Sequence, residues 1–272
     1  MTTKRPSPRN YDEPRILVLD IETAPIEAFV WGLWEQNVGL DFIKTEWSML
    51  AFAARWMDEK KTIYADTGGR GAGKVRDDKA LTQQIRGLLE EADIVVAQNG
   101  KRFDIRKINA RMVIHGFGPP APYRVVDTMI EARKYFAFTS QKLAWTSKYL
   151  TDSPKSEHKK FPGFELWVEC LRDNPKAWAE MRKYNCQDVI STLKVYLKLR
   201  PWINNHPNIG MHDSADKPNC PKCGSRDLQM RGDAVTQQGR YNRYQCQSCG
   251  GWARGKQMIV ALPVRRSKLV GV

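Results

Sequence analysis

The stretch that decides the fold is ILVLDIETAP, residues 16–25. Ile16 to Leu19 are aliphatic without a break, the pattern of a strand covered on both faces rather than one. The run then closes on Asp20 and Glu22. Side chains alternate with a period of two along a strand, so both carboxylates lie on one face of it. A lone D-x-E of this kind is ordinarily a strand end reaching water. The rest of the chain decides whether it is more.

Outward from this strand, WSMLAFAARWM (47–57) and KTIYAD (61–66) read as two further strands joined by a short turn. A Gly-rich stretch leads into the helix DDKALTQQIRGLLEEA, with Asp77 or Asp78 as N-cap. DIVVAQN (93–99) is another buried strand, FDIRKINARMVIHG a helix ending at Gly116, and YRVVDT a fifth strand. MIEARKYF and QKLAWTSKYL are helical, and residues 151–164, TDSPKSEHKKFPGF, form a basic polar loop. A long helix starts after Asn174-Pro175 and runs to Pro201. Three neighbouring strands, then two alternating with helices, predict an α/β domain over residues 15–203, a mixed five-stranded sheet flanked by helices. Residues 1–14 are expected to be a flexible basic tail and 204–219, rich in Asn and Pro, a linker. Residues 220–272 form a small separate module.

The chain has 272 residues, 42% of them hydrophobic, and a net charge of +14. That composition supports a packed core and argues against global disorder. No apolar run is long enough to span a bilayer, and the start lacks the apolar stretch of a signal peptide, so a cytoplasmic protein without a membrane partner is expected. Residues 217–272 hold eleven Lys/Arg against Asp227 and Asp233, a surplus of nine, which leaves five for the preceding 216 residues. A basic module on a less basic domain points to a polyanionic partner, most simply nucleic acid.

Two more segments bear on Asp20 and Glu22. Asp104 follows QNGKRF at the junction between a strand and a helix, and Asp188 lies in YNCQD within the last helix, with Tyr184 one turn earlier on its face. Four carboxylates gathered in one cleft repel one another and ionise together only beside cations. Hard divalent ions such as Mg²⁺ or Mn²⁺ take such oxygen ligands.

LDIET, NGKRFD and YNCQD together resemble the three motifs of DEDD-type 3′–5′ exonucleases, an RNase H-like family that includes the proofreading domains of DNA polymerases. The matching positions are Asp20 and Glu22, then Asn99, Phe103 and Asp104, then Tyr184 and Asp188. Tyr184 places the resemblance in the Tyr branch. It implies two catalytic Mg²⁺ or Mn²⁺ ions flanking the scissile phosphate. Asp20 would bridge them, Glu22 and Asp188 would lie on the nucleophile side, Asp104 would support the second ion, and Tyr184 would orient the attacking water. Asn99 either bonds backbone or approaches the nucleic acid. Phe103 is expected to pack the helix.

CPKC (220–223) and CQSC (246–249) supply four thiolates, Cys220, Cys223, Cys246 and Cys249, for one structural Zn²⁺. With Gly224 and Gly250 directly after each pair, this segment resembles the zinc ribbons of nucleic-acid-associated proteins. Arg231, Arg240, Tyr241, Arg243, Tyr244, Trp252 and Arg254 interleave cations with aromatics and suit phosphate contact and base stacking.

Several features are set aside. GGRGAGKV (68–75) contains GxxxxGK, but Val75 stands where a phosphate loop needs Ser or Thr, so a flexible, DNA-facing loop is expected. Asp127 reads as a helix cap, His158 as solvated, and Cys170 and Cys186 as buried helix residues. Lys155, Lys159 and Lys160 either contact substrate backbone or stay in solvent. The expected function is a metal-dependent 3′–5′ exonuclease, single-stranded DNA favoured over RNA, with any DNA polymerase or other replication protein acting in trans. An RNA-processing or structure-specific nuclease and a non-catalytic nucleic-acid-binding protein are the alternatives. Compact chains of this make-up resemble bacteriophage products.

Overall fold

A computed structural model describes residues 13–155 and 158–269. Most of the expected N-terminal tail therefore lies outside the described residues. Arg15–Lys198 forms one compact unit, and the residues from Leu199 onward belong to a second.

In the first unit the elements run β1 (Ile16–Thr23), β2 (Glu27–Ala28), β3 (Ile43–Thr45), β4 (Met49–Trp56), β5 (Ile63–Asp66), α1 (Lys79–Glu91), β6 (Ile94–Ala97), α2 (Asp104–Ile114), β7 (Arg124–Asp127), α3 (Thr128–Tyr135), α4 (Leu143–Leu150), α5 (Glu165–Leu171) and α6 (Pro175–Leu199). Five strands form the mixed sheet in the order β5-β4-β1-β6-β7, and β2 pairs with β3 apart from it. β4 lies antiparallel to β1 and to β5, while β6 lies parallel to β1 and to β7. The aliphatic run of β1 is buried on both faces because the strand is central. Leu17, Leu19 and Ile21 pack with Ile85 and Leu89 of α1 and Ile108 and Met112 of α2. Against the opposite face stand Leu166 and Cys170 of α5 and Ala177, Met181 and Tyr184 of α6, with Leu50 and Ala51 of β4.

The register explains why β1 turns polar. Its pairing with β6 ends at Val18↔Val96, whereas its pairing with β4 continues through Glu22↔Ala51. β1 therefore overshoots its parallel neighbour, and Asp20 and Glu22 lie beyond the end of β6. Active sites of open α/β sheets lie outside the carboxyl ends of their parallel strands.

Three local expectations are revised. Asp78 occupies the cap position of α1 without capping it. Its carboxylate instead accepts from the Met49 amide (2.8 Å) and from Arg111 Nε and Nη2 (2.7 and 2.6 Å), and meets His115 Nε2 at 2.6 Å. The glycine-rich loop is fastened rather than free: the Gly69 and Gly71 amides donate to the Asp173 carboxylate at 2.8 and 2.7 Å. Residues 165–171, with no element assigned from the sequence, form α5.

The second unit carries β8 (Leu228–Thr236), β9 (Gly239–Cys246), β10 (Trp252–Met258) and α7 (Leu262–Arg266). The strands form an antiparallel sheet in the order β10-β9-β8. Within 204–219, where a linker is expected, Ile209 is buried and its amide donates to Pro221 O at 2.8 Å, while Asp213 takes the Arg226 guanidinium at 2.7 Å. That segment is tied to the cysteine module by these bonds.

Candidate functional site

Carboxylate oxygens of Asp20, Glu22 and Asp188 lie within 4.8 Å of one another. Two come from the overshooting end of β1 and the third from α6, which crosses that face of the sheet. Asp104, the first residue of α2, is buried and accepts the Ile21 amide at 3.0 Å. That N–H is one β6 would have bonded had it been longer. Asp104 thus completes the ladder and stands beside Asp20 without joining the tight group of three.

The electrostatics follow from burial. Desolvation first, then Asp104, Glu22 and Asp188, hold the Asp20 carboxyl well above its ordinary range. Burial and Asp188 push Glu22 up to about 8. Burial also raises Asp104 to about 7, although the Ile21 amide opposes it. Carboxylates in this state want a cation. Asp188 Oδ1 is buried without a hydrogen-bond partner, as is Asn185 Oδ1. Clustered oxygens, orphaned acceptors and raised carboxyls fit hard divalent metal. Asp20, Glu22 and Asp188 are the residues that would hold it.

The site contains more than the motif residues. Asn185 is fully buried on α6, and its Nδ2 donates to Asp20 Oδ2 at 2.6 Å, holding that carboxylate in place. Trp167 of α5 donates Nε1–H to Glu22 Oε2 at 3.2 Å. Lys155 leaves solvent: Nζ reaches Asp188 Oδ2 at 2.5 Å and lies 4.6 Å from the Tyr184 ring centre. Its burial disfavours the charge, but Asp188 and Tyr184 more than reverse this, so the ammonium is retained. His158 is half-buried, not solvated. Its Nδ1 lies 2.7 Å from Phe161 O, and its ring stands edge-on to Trp167 and Tyr184. Burial, with Glu22 and Asp188 nearby, raises the Tyr184 phenol above its ordinary value, so its proton stays on.

Asn99 adopts φ 61°, a left-handed turn that Asn tolerates better than most residues. Its main-chain carbonyl accepts from Arg102 N and Phe103 N, while its side-chain Oδ1 is buried without a hydrogen-bond partner. Asp127 caps α3 through the Met129 and Ile130 amides and also takes those of Asn99 and Lys101. One buried carboxylate thereby braces the turn that leads to Asp104. Phe103 is more exposed than expected, with Lys107 Nζ 5.3 Å from its ring centre. Cys170 is buried on α5 and Cys186 half-buried on α6.

In the second unit the four cysteine sulfurs also lie within 4.8 Å of one another. Cys220 and Cys249 are 3.7 Å apart and Cys223 and Cys246 3.6 Å. Thiolates about 2.3 Å from one tetrahedral zinc stand about 3.8 Å apart, so the group fits the ion. The two knuckles match: Gly224 N bonds Cys220 O and Gly250 N bonds Cys246 O, both at 2.9 Å, with φ of 78° and 77°. Only glycine takes that conformation without strain. The register Arg254↔Arg243 and Trp252↔Gln245 puts Arg243, Trp252 and Arg254 on one face of the sheet. Arg243 there stacks 5.1 Å from the Trp252 ring, and its Nε bonds Arg231 O. Arg240 and Tyr244 alternate to the other face, and Tyr241 is buried under Arg254. The expected nucleic-acid residues therefore divide between two faces.

Residues 44–200 match the RNase H superfamily profile, more than half of the chain. The chain belongs to the RNase H superfamily. The matched span contains Asp104, Tyr184 and Asp188, while β1 precedes it. This RNase H superfamily fold is also similar to a family B DNA polymerase from the hyperthermophilic archaeon Pyrobaculum calidifontis, with a TM-score of 0.52 and 18% identity over 74% of this chain. The match covers 26% of the polymerase, so the likeness is one of fold and the chain spans about a quarter of that protein. No curated protein matches the sequence. Membership of the superfamily supports nuclease chemistry and a nucleic-acid substrate. Among the described residues no helix is long and apolar enough to cross a membrane.

Proposed function

We propose that the protein is a divalent-metal-dependent 3′–5′ exonuclease of the DEDD type, Tyr branch, acting on single-stranded DNA. The observation that carries this is the meeting of Asp20, Glu22 and Asp188 within 4.8 Å, with Asp104 bonded to the residue between the first two. Bound Mg²⁺ or Mn²⁺ supplies an activated water and stabilises charge on the phosphate and leaving oxygen. Asp20, Glu22 and Asp188 would hold the metal, with Asp104, which accepts the Ile21 amide at the end of β1, supporting the second ion. Asn185 and Trp167 fix the rotamers of Asp20 and Glu22, so the ligands are arranged before substrate arrives. Tyr184, kept protonated, orients the attacking water through its hydroxyl. The Lys155 ammonium, beside Asp188 and Tyr184, would meet a non-bridging phosphate oxygen. The Cys₄ group holds one structural Zn²⁺ as a zinc ribbon, and its Arg243–Trp252–Arg254 face supports the strand. Cytoplasmic action, with a polymerase served in trans, belongs to the same reading.

Cleavage of 5′-labelled single-stranded DNA with Mn²⁺ or Mg²⁺ tests it, beside Asp188→Asn, a circular strand and an RNA of the same sequence. The expected result is a metal-dependent ladder shrinking from the 3′ end, absent in the variant and on the circle. Cutting of the circle would make it an endonuclease, and cleavage of the RNA alone would reverse the sugar preference.

A further inference from the structure

Between β1 and β4 the chain leaves the sheet in an excursion built on β2 and β3. Its side chains contradict burial: Trp31 is 93% exposed, Leu33 86%, Trp34 84% and Phe29 67%. Scattered exposed apolar residues need no explanation, but so many large ones on one short segment mark a contact surface. The segment is not loosely held. Arg76 clamps both sides of its root, donating to Pro25 O (3.1 Å), Glu46 O (3.0 Å) and Glu27 Oε1 (2.6 Å). Phe29 N bonds Phe42 O at 2.9 Å across the hairpin. The rings are thus carried on a fixed base.

Two features choose the occupant. The hairpin continues directly from the strand bearing Asp20 and Glu22. Ala28 follows Glu22 by six residues, so its start lies within about 20 Å of the carboxylates at about 3.3 Å per residue. A strand end held at those carboxylates has the root of the hairpin within a few nucleotides' reach. Residues 28–34, AFVWGLW, carry no charge. Glu27, at the root, is taken by Arg76 and lies 4.0 Å from Lys44. The attraction offered is stacking and not charge: the rings present faces to bases, while the 26–42 hairpin holds Glu27, Glu35 and Asp41 and no Lys or Arg.

We infer that the 26–42 hairpin is a base-stacking platform, with Trp31 and Trp34 as its rings, for the unpaired strand whose end enters the carboxylate site. This rests on the nuclease reading above. Stacking on such rings is sequence-tolerant, since every base has a π-face, so the platform selects unpaired strands over duplex.

The test compares wild type with Trp31→Ala/Trp34→Ala and Trp31→Phe/Trp34→Phe in the full zinc-loaded chain. Anisotropy of a labelled oligothymidylate of about six nucleotides, without added divalent cation, reads binding. Hydrolysis of p-nitrophenyl thymidine 5′-phosphate with Mn²⁺ reads the metal centre on a substrate too short to reach the hairpin. The alanine pair should bind the oligomer at least about tenfold more weakly, and its preference for oligomer over ester in kcat/KM should fall by a similar factor. The phenylalanine pair should restore most of both. Unchanged oligomer affinity in the alanine pair, while wild type cleaves the ester, overturns the platform alone. A wild type that cleaves neither substrate overturns the nuclease reading itself. A wild-type dimer that the alanine pair converts to monomer in sedimentation, with DNA affinity unchanged, makes the hairpin a contact between copies instead.

Discussion

Added Mg²⁺ should raise the melting temperature strongly at pH 8 and little at pH 5.5. Glu22 gives the clearest reason, because burial and Asp188 move its carboxyl from 4.5 to about 8. Between those values the folded chain keeps a proton that the unfolded chain has released. Stability of the metal-free protein therefore falls as pH rises through that window. Each pH unit crossed costs about 1.4 kcal/mol, so between pH 5.5 and 8 the upper bound is about 3.4 kcal/mol. Glu22 retains some solvent contact, which screens about half and leaves about 1.7 kcal/mol. Asp104, raised to about 7, adds to the effect with the same sign. A bound cation keeps these groups ionised in the folded state and removes the penalty. At about 2–4 °C per kcal/mol for a unit of this size, the Mg²⁺ gain at pH 8 should exceed that at pH 5.5 by about 3–7 °C from Glu22 alone. Differential scanning calorimetry of zinc-loaded protein, with and without MgCl₂ and without chelator, measures it directly. Equal gains at both pH values, or none at pH 8, would refute the reasoning. Glu22→Gln should flatten the pH dependence.

Removing the Asn185 amide by Asn185→Ala frees Asp20, so Mn²⁺ affinity by titration calorimetry should weaken about 10- to 100-fold without loss of fold. Asp78→Ala leaves the Arg111 guanidinium buried and unpaired. It should cost about 3–5 kcal/mol in thermal unfolding while leaving Mn²⁺ affinity unchanged. Cys246→Ser should release zinc, read as metal content after dialysis, because a closed Cys₄ site does not survive on three thiolates.

The sheet was legible because its signals are local. β1 declares itself by an unbroken aliphatic run, and α6 by Pro175 and a long amphipathic pattern. The motif acids stood at element ends, where strand and helix periods already fixed their faces. Asn185 could have been found on the same ground, since it lies three residues before Asp188 on a buried turn. The segment 151–171 was not readable: Lys155 and His158 look like solvated charges until Asp188 and Tyr184 arrive from elsewhere in the chain. α5 is only seven residues long, and Leu166 and Cys170 give its buried face too few repeats to register a period. The hairpin after β1 escaped for the opposite reason, because its apolar residues face water. Asp78 shows a cap position losing its side chain to a tertiary partner, Arg111.

The overshoot of β1 has a consequence for the order of events in synthesis. Its ladder with β4 closes over a few dozen residues, but Asp104 reaches Ile21 across 83 residues and Asn185 reaches Asp20 across 165. Contacts that distant form late, after the entropy of closing the intervening chain has been met. A growing chain thus holds Asp20, Glu22 and Asp104 without Asp188 or Asn185 until α6 has left the ribosome, and the group of three carboxylates within 4.8 Å is incomplete before then. The unit acquires its chemistry at the last step of its own assembly, when β1 and α6 finally meet.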